Sequence, residues 1–325
     1  MKKFSCLIFF VLFVFAVYAE FKPQMKSLSS PDGKIKLEFS CSGCGIPFYK
    51  VSVDGKQFID ESELGISYNG SERTGHYIDK VSYRWDINEV WYQPLDENKE
   101  NFSHFNEMTV VLQQDYLSYI KICFRVFNDG FAIKYEYDVK NAEKVILQDD
   151  CTMFAFIDDG MAWWIPADAN TDEFEYKRTP INEVKRAAMP IAFKFDSGLY
   201  ASVHEVALCG FPEMTLSRGE NGVFLSVLSE NTKISDSSKG MLPVKFSTSW
   251  RTVLIGRKAG DNYYLGASTD TTARRIGVPL SFLENDVEYE PTVYADGDNA
   301  DTLDMRLASG GGQAVVFEKV KNGNK

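Results

Sequence analysis

Few side chains in this sequence are spaced for chemistry. There are three histidines, His76, His104 and His204, and Glu205 follows the last directly. A histidine and a glutamate can exchange protons with a bound substrate when both lie within hydrogen-bond reach of it. Strand neighbours point to opposite faces, so His204 and Glu205 make no acid/base pair unless the strand is bulged. His76 and His104 fall in segments that read as loops. The acidic doublets Asp149-Asp150 and Asp158-Asp159 sit beside turn signals and read as solvated loop charges, and no paired carboxylate motif is recognisable. Cys41-x-x-Cys44 supplies half of a zinc site, which needs four ligands, and no second Cys-x-x-Cys or His-x-x-x-His follows. Its context, Cys-Ser-Gly-Cys-Gly, favours a local disulfide or two plain thiols in a turn.

The elements that must position these groups are strands. Ile35, Leu37, Phe39 and Cys41 alternate with Lys34, Lys36, Glu38 and Ser40. Phe131, Ile133, Tyr135, Tyr137 and Val139 alternate with smaller or charged neighbours, and Ile120, Ile122, Phe124 and Val126 do so less cleanly. A period of two puts one set on the core side and the other toward water. Pro31-Asp32-Gly33, Asp54-Gly55, Asn128-Asp129-Gly130 and Asp196-Ser197-Gly198 fall between apolar runs and close tight turns. Short strands joined this way predict antiparallel sheets and a sandwich. One short helix is expected over Pro180 to Ala188, capped by Thr179 with Glu183 in reach of the cap. A (β/α)8 barrel needs about 250 residues of alternating strand and helix, and no such stretch exists.

The first residues read as a secretory signal: Lys2 and Lys3, an apolar run from Leu7 to Val17, and an exit at Val17-Tyr18-Ala19. The run is short of the roughly 20 apolar residues that span a bilayer. Cys6 lies early in it and no Cys marks its end, so cleavage after Ala19 is expected rather than a lipid anchor. Of the six cysteines, Cys41, Cys44, Cys123, Cys151 and Cys209 would remain, an odd number that leaves at least one unpaired unless chains cross-link. The formal net charge is −11 with no basic run, which makes nucleic acid and anionic membrane surfaces poor partners. Aromatics at 14% suit a β protein with a large core. A boundary is expected between Gly256 and Asn262: Trp250 to Ile255 reads as a last strand, and fresh strands follow at Tyr263 to Ala267, Arg275 to Leu283 and Tyr289 to Tyr294.

Several stretches resemble the N-terminal domain of glycoside hydrolase family 97. They are Ser30-Pro31-Asp32-Gly33-Lys34 with Tyr49-x-Val51-x-Val53-x-Gly55-Lys56, Phe105-Asn106-Glu107-Met108-Thr109-Val110, and Phe124-Arg125-Val126-Phe127-Asn128-Asp129-Gly130. Trp163-Trp164-Ile165-Pro166-Ala167 and His204-Glu205-Val206-Ala207-Leu208, followed by Phe211-Pro212-Glu213-Met214, complete the set. Each is weak alone; their shared order makes the match specific. The last segment is similar to the C-terminal β domain of the same family through Tyr263-Tyr264-Leu265-Gly266, Tyr294-Ala295-Asp296-Gly297 and Leu307-Ala308-Ser309-Gly310-Gly311-Gly312. Asp96-Glu97 stands where the family tends to carry Gly-Glu.

The resemblance implies an all-β chain: a signal peptide over 1–19, a large antiparallel sandwich of the galactose-mutarotase-like supersandwich type over 20–256, and a small C-terminal β-sandwich over 257–325. Full-length members carry a catalytic barrel between the two; here they meet within a few residues. Such enzymes cleave α-glucosides or α-galactosides beside a calcium ion held mostly by barrel glutamates. The resemblance makes Glu205 a single residual calcium ligand; a solvated strand-end glutamate is the competing reading. Calcium takes 6–8 oxygen ligands, so retention of the ion is not expected. Glycoside hydrolysis needs two carboxyl groups roughly 5–9.5 Å apart across the bond, and the family's barrel carboxylates are missing. Large sandwiches of this kind also resemble aldose epimerases, but the opposed His204 and Glu205 argue against that chemistry.

Sugar binding remains as an expectation. Carbohydrate faces stack on aromatic rings, and Trp85, Trp91, Tyr92, Trp163 and Trp164 lie in two clusters, though large aromatics also fill sandwich cores. Trp163, Trp164 and Trp91 are the candidate carbohydrate contacts. Adjacent Trp163 and Trp164 should point one inward and one outward. The expected protein is therefore secreted, periplasmic and non-catalytic, with carbohydrate or a partner protein as ligand. The alternative is an α-glucosidase or α-galactosidase component whose barrel comes from another chain.

Overall fold

The computed structural model describes residues 25–92, 100–114, 119–140, 142–168, 171, 173–219, 221–228 and 239–256, and the backbone of five strands between 263 and 319. The leader and the Asp96-Glu97 position lie outside the described residues. The chain divides into two compact units after Gly256.

The first unit is a sandwich of two large antiparallel sheets. One has eight strands in the order Lys26–Ser29, Ile35–Cys41, Pro47–Val53, Lys56–Glu63, Met153–Phe156, Phe224–Leu228, Met214–Arg218, Arg186–Ala187. The other has ten, and its main path runs Lys177–Pro180, Gly160–Trp164, Ile191–Phe195, Tyr200–Val206, Trp250–Gly256, Gly130–Asp138, Tyr119–Phe127, Glu100–Gln113, Tyr77–Tyr92. Lys245–Ser247 pairs with Gly130–Asp138 off that path. A three-stranded sheet of Gly240–Leu242, Val145–Asp150 and Ile66–Tyr68 accompanies them.

The alternating sets meet in the core as their period requires. Phe39 from the eight-stranded sheet packs on Phe124 from the ten-stranded one at 5.5 Å between ring centroids. Tyr49 packs on Phe131 at 5.9 Å, and Phe58 meets Phe195 edge-on at 5.2 Å. Each such ring, fully buried, contributes roughly 1.5–3 kcal/mol. Asp54 and Gly55 turn with φ of 49° and 76°, the paired positive values of a tight hairpin. Gly130 serves close approach instead: a Cβ there would lie 2.3 Å from the Val253 carbonyl oxygen.

The helix expected over Pro180 to Ala188 is corrected to a single 3-10 turn, Ile181–Glu183, followed by the strand Arg186–Ala187. Thr179 does not cap it. Its hydroxyl donates to the Pro180 carbonyl and accepts from Trp164 Nε1 at 3.1 Å, so the sheet takes the side chain the helix would have used. In the second unit Tyr263–Ser268, Gly312–Lys319 and Tyr289–Ala295 form one sheet, and Arg274–Ile276 pairs with Met305–Leu307.

Candidate functional site

Glu205 lies in the strand Tyr200–Val206, where Ala201, Val203 and Glu205 face the core and Tyr200, His204 and Val206 face out. His204 and Glu205 are thus on opposite faces, as the period of two requires. The reading of Glu205 as a solvated strand-end residue is corrected: it is buried. Oε2 accepts the Met214 N–H at 2.7 Å, and Oε1 accepts the Ser249 hydroxyl.

Beyond Ser249 lies Arg251, fully buried. Its Nη1 donates to the Ser249 carbonyl at 2.7 Å and to the Ser249 hydroxyl at 3.3 Å. Its Nη2 and Nε donate to Asp150 Oδ2 at 2.7 and 3.1 Å. Asp150 Oδ1 accepts both the N–H and the hydroxyl of Thr152, at 2.9 and 2.6 Å. With the Thr152 proton committed to a carboxylate, the Tyr135 hydroxyl must be the donor in its 2.8 Å bond to Thr152 Oγ1. Asp150 is therefore no solvated loop charge: it ends the strand Val145–Asp150 inside the core. Burial alone would lower the Arg251 guanidinium, but Asp150, Tyr135 and Glu205 hold it above its ordinary value. Burial, and then Asp150, push the Tyr135 phenol upward.

This network does not fit a calcium ion. Both Glu205 oxygens already accept from protein donors, and a guanidinium lies one hydroxyl away. Among the described residues no group of three or more His, Cys, Asp or Glu could hold a metal. The network instead ties the inner face of the ten-stranded sheet to the three-stranded one.

The remaining sequence candidates separate. Trp164 is corrected as a ligand contact: it is buried, with its indole N–H on Thr179. Trp163 faces out, with the Arg178 guanidinium 5.4 Å from its ring. It lines a shallow apolar depression of about 410 Å³ with Ala192, Tyr200, Ser202 and Leu254. Trp91 is exposed near the tip of the Tyr77–Tyr92 strand, opposite Asn101. Seven interstrand steps divide Trp163 from Trp91 in the ten-stranded sheet, roughly 30 Å at ~4.8 Å each, so they cannot stack on one sugar. Between them the Arg125 guanidinium lies 4.3 Å from the Phe105 ring and 4.7 Å from the Trp250 ring, with Glu107 at 2.9 Å.

His104 is not in a loop but in the strand Glu100–Gln113, donating from Nε2 to Asp86 at 2.7 Å. His76 is buried just before Tyr77–Tyr92, its Nδ1 donating to the Gly45 carbonyl at 3.2 Å. Cys41, Cys44, Cys123, Cys151 and Cys209 are free thiols, which decides between the two readings of Cys41-x-x-Cys44. Sequence reasoning missed Arg251 and Asp150 as partners. The signal was present: Arg251, Val253 and Ile255 share one set of the period-two pattern, which placed Arg251 on the core side.

Residues 28–262 match the family described as glycosyl-hydrolase 97 N-terminal, and residues 250–318 match glycosyl-hydrolase 97 C-terminal, oligomerisation. A retaining alpha-galactosidase of Bacteroides thetaiotaomicron is 23% identical over 243 residues, covering 70% of this chain and 35% of its own length. A glycoside hydrolase family 97 enzyme from Pseudoalteromonas sp. strain K8, solved with acarbose, is 29% identical with a TM-score of 0.67, covering 72% of this chain and 36% of that one. A beta-arabinopyranosidase crystal structure shares the fold at 20% identity and a TM-score of 0.64, over 71% of this chain and 40% of its own. The chain spans about a third of the length of the first two relatives.

Proposed function

Because this chain belongs to glycoside hydrolase family 97, we propose that it is a non-catalytic, carbohydrate-binding accessory protein of α-glucoside or α-galactoside degradation. The observation that carries the reading is the join. The N-terminal match ends after the C-terminal match has begun, so no chain is left between them for a barrel of about 250 residues. The buried carboxylates support it further: Glu205 and Asp150 are spent on Ser249, Met214, Thr152 and Arg251 inside the core. Calcium is not retained, and the leader exports the chain to the periplasm. Carbohydrate is engaged through aromatic rings that the sheets leave exposed.

The exposed apolar residues Tyr200, Val206, Leu208 and Leu254 favour a second reading, in which this face docks on a separate chain that supplies the barrel. Of these, Tyr200 and Leu254 line one apolar depression with Trp163, and exposed apolar surface can mark an interface.

The test assays the purified chain on p-nitrophenyl α-glucoside and α-galactoside with calcium, and titrates it with α-linked oligosaccharides in a calorimeter. Saccharide binding without turnover is expected. Robust hydrolysis abolished by Glu205→Gln would overturn the non-catalytic reading, and co-purification with a barrel-encoding neighbour would favour the second.

A further inference from the structure

The strands Tyr77–Tyr92 and Glu100–Gln113 form a hairpin longer than the sheet it faces. Cross-strand partners share a face, so Tyr83 lies with Met108, Asn88 with His104, and Val90 with Phe102. Met108 is fully buried, whereas Phe102 is 71% exposed. One face of the hairpin thus runs from the core into solvent. It leaves the core at Ser29, the end of the first strand, whose carbonyl accepts from Asn106 Nδ2 at 2.9 Å.

A bulge sits at that exit. The register shifts between Arg84 and Ile87, so Trp85 and Asp86 together oppose Asn106. Asp86 takes a φ of 55°, a left-handed conformation that non-glycine residues seldom adopt. Buried Asn106 holds it there, accepting the Asp86 N–H at 2.7 Å. Bulges re-aim side chains, and strain of this kind gathers at functional sites.

The re-aimed side chains are a ring and a polar pair. Trp85 stacks on Tyr83 at 5.5 Å and 7° yet is 58% exposed, so its second ring face is open. Beside it Asp86 Oδ1 accepts from His104 Nε2 at 2.7 Å, and Asn88 Nδ2 donates to the Asp86 carbonyl at 3.2 Å. The Asp86 side chain remains 81% exposed, so it can accept further hydrogen bonds. Val90 and Phe102 bound the far side. A pyranose offers an apolar C–H face and a rim of hydroxyls. It needs an open ring to stack on and fixed polar groups at the ring's edge.

Resting on the carbohydrate reading above, we propose that this patch, the open face of Trp85 with Asp86, Asn88 and His104 beside it, is where the chain binds a pyranose of an α-linked oligosaccharide.

The test is calorimetric titration of the full chain with maltotriose and, separately, melibiose, for wild type, Trp85→Ala, Asp86→Gly and Trp163→Ala. Binding of at least one sugar by wild type is expected, weakened about ten-fold or more by Trp85→Ala, as for a central aromatic anchor. Asp86→Gly removes the carboxylate while relieving the positive φ, so a folded protein with weakened binding is expected even if Trp85→Ala misfolds. Binding kept by both hairpin variants would overturn the patch and leave the carbohydrate reading standing, whether or not Trp163→Ala loses it. A wild type that binds neither sugar would overturn both.

Discussion

Arg251 Nη2 and Asp150 Oδ2 stand 2.7 Å apart with both side chains wholly inaccessible to solvent. The pair joins the strand Trp250–Gly256 to the strand Val145–Asp150, and so one sheet to another. Its remaining hydrogen-bonding capacity is spent on Ser249 and Thr152. A charge in such a place survives only because its partner is there.

Asp150→Ala should therefore cost about 3–5 kcal/mol, because it strands a guanidinium in the core. Replacing both members with apolar residues, as in Asp150→Leu with Arg251→Met, should recover much of that loss. Urea unfolding of the single and double variants checks this; a double variant no more stable than Asp150→Ala would mean that the pair's worth lies in more than mutual neutralisation.

Glu205 gives a separable prediction. Glu205→Ala should lose about 1.5–3 kcal/mol from its charge-assisted hydrogen bonds, and millimolar calcium should leave the melting temperature of wild type unchanged. A saturable upward shift with calcium, absent from Glu205→Gln, would contradict the structural role given to this residue.

Stability should fall as pH drops below the ordinary histidine range. Burial holds the His76 imidazole below its usual value of 6.5, against the opposing hydrogen bonds to the backbone of Gly45 and Arg73. The unfolded chain then takes up a proton that the folded chain refuses. The contribution is full above about pH 6.5 and is lost as pH falls through that value toward the folded one. Unfolding midpoints measured between about pH 7.5 and 5.5 should decline less in His76→Gln than in wild type.

The thiols should divide by accessibility. Cys44 and Cys209 are exposed, whereas burial pushes Cys41 and Cys151 up to about 11 and raises Cys123 as well. A disulfide reagent at mild alkaline pH should label Cys44 and Cys209 rapidly and the other three only on unfolding. Mass spectrometry of the labelled peptides reads the order, and early labelling of Cys151 would be at odds with its packing.

The strands were legible because alternation survives wherever one face is buried: Ile35, Leu37 and Phe39 went inward as their spacing required. Trp163 and Trp164 were legible as an opposed pair for the same reason. What failed depended on neighbours distant in sequence. Asp150 looked solvated because its partner lies 101 positions away. Thr179 looked like a cap because Trp164, 15 positions back, could not be seen to claim its hydroxyl. The Trp85-Asp86 bulge left no local trace, since an extra residue shows only when two strands are laid side by side.

That bulge also bears on how copies of the chain avoid one another. Among the described strands, Tyr77–Tyr92 is the last on its side of the sheet, a sixteen-residue border with backbone donors and acceptors turned outward. A border this long and straight is a template for runaway zippering into fibrils. Register shifts between Ile78 and Lys80 and between Arg84 and Ile87 interrupt it, and bulges bend and twist an edge strand, so one straight incoming segment does not match its whole length.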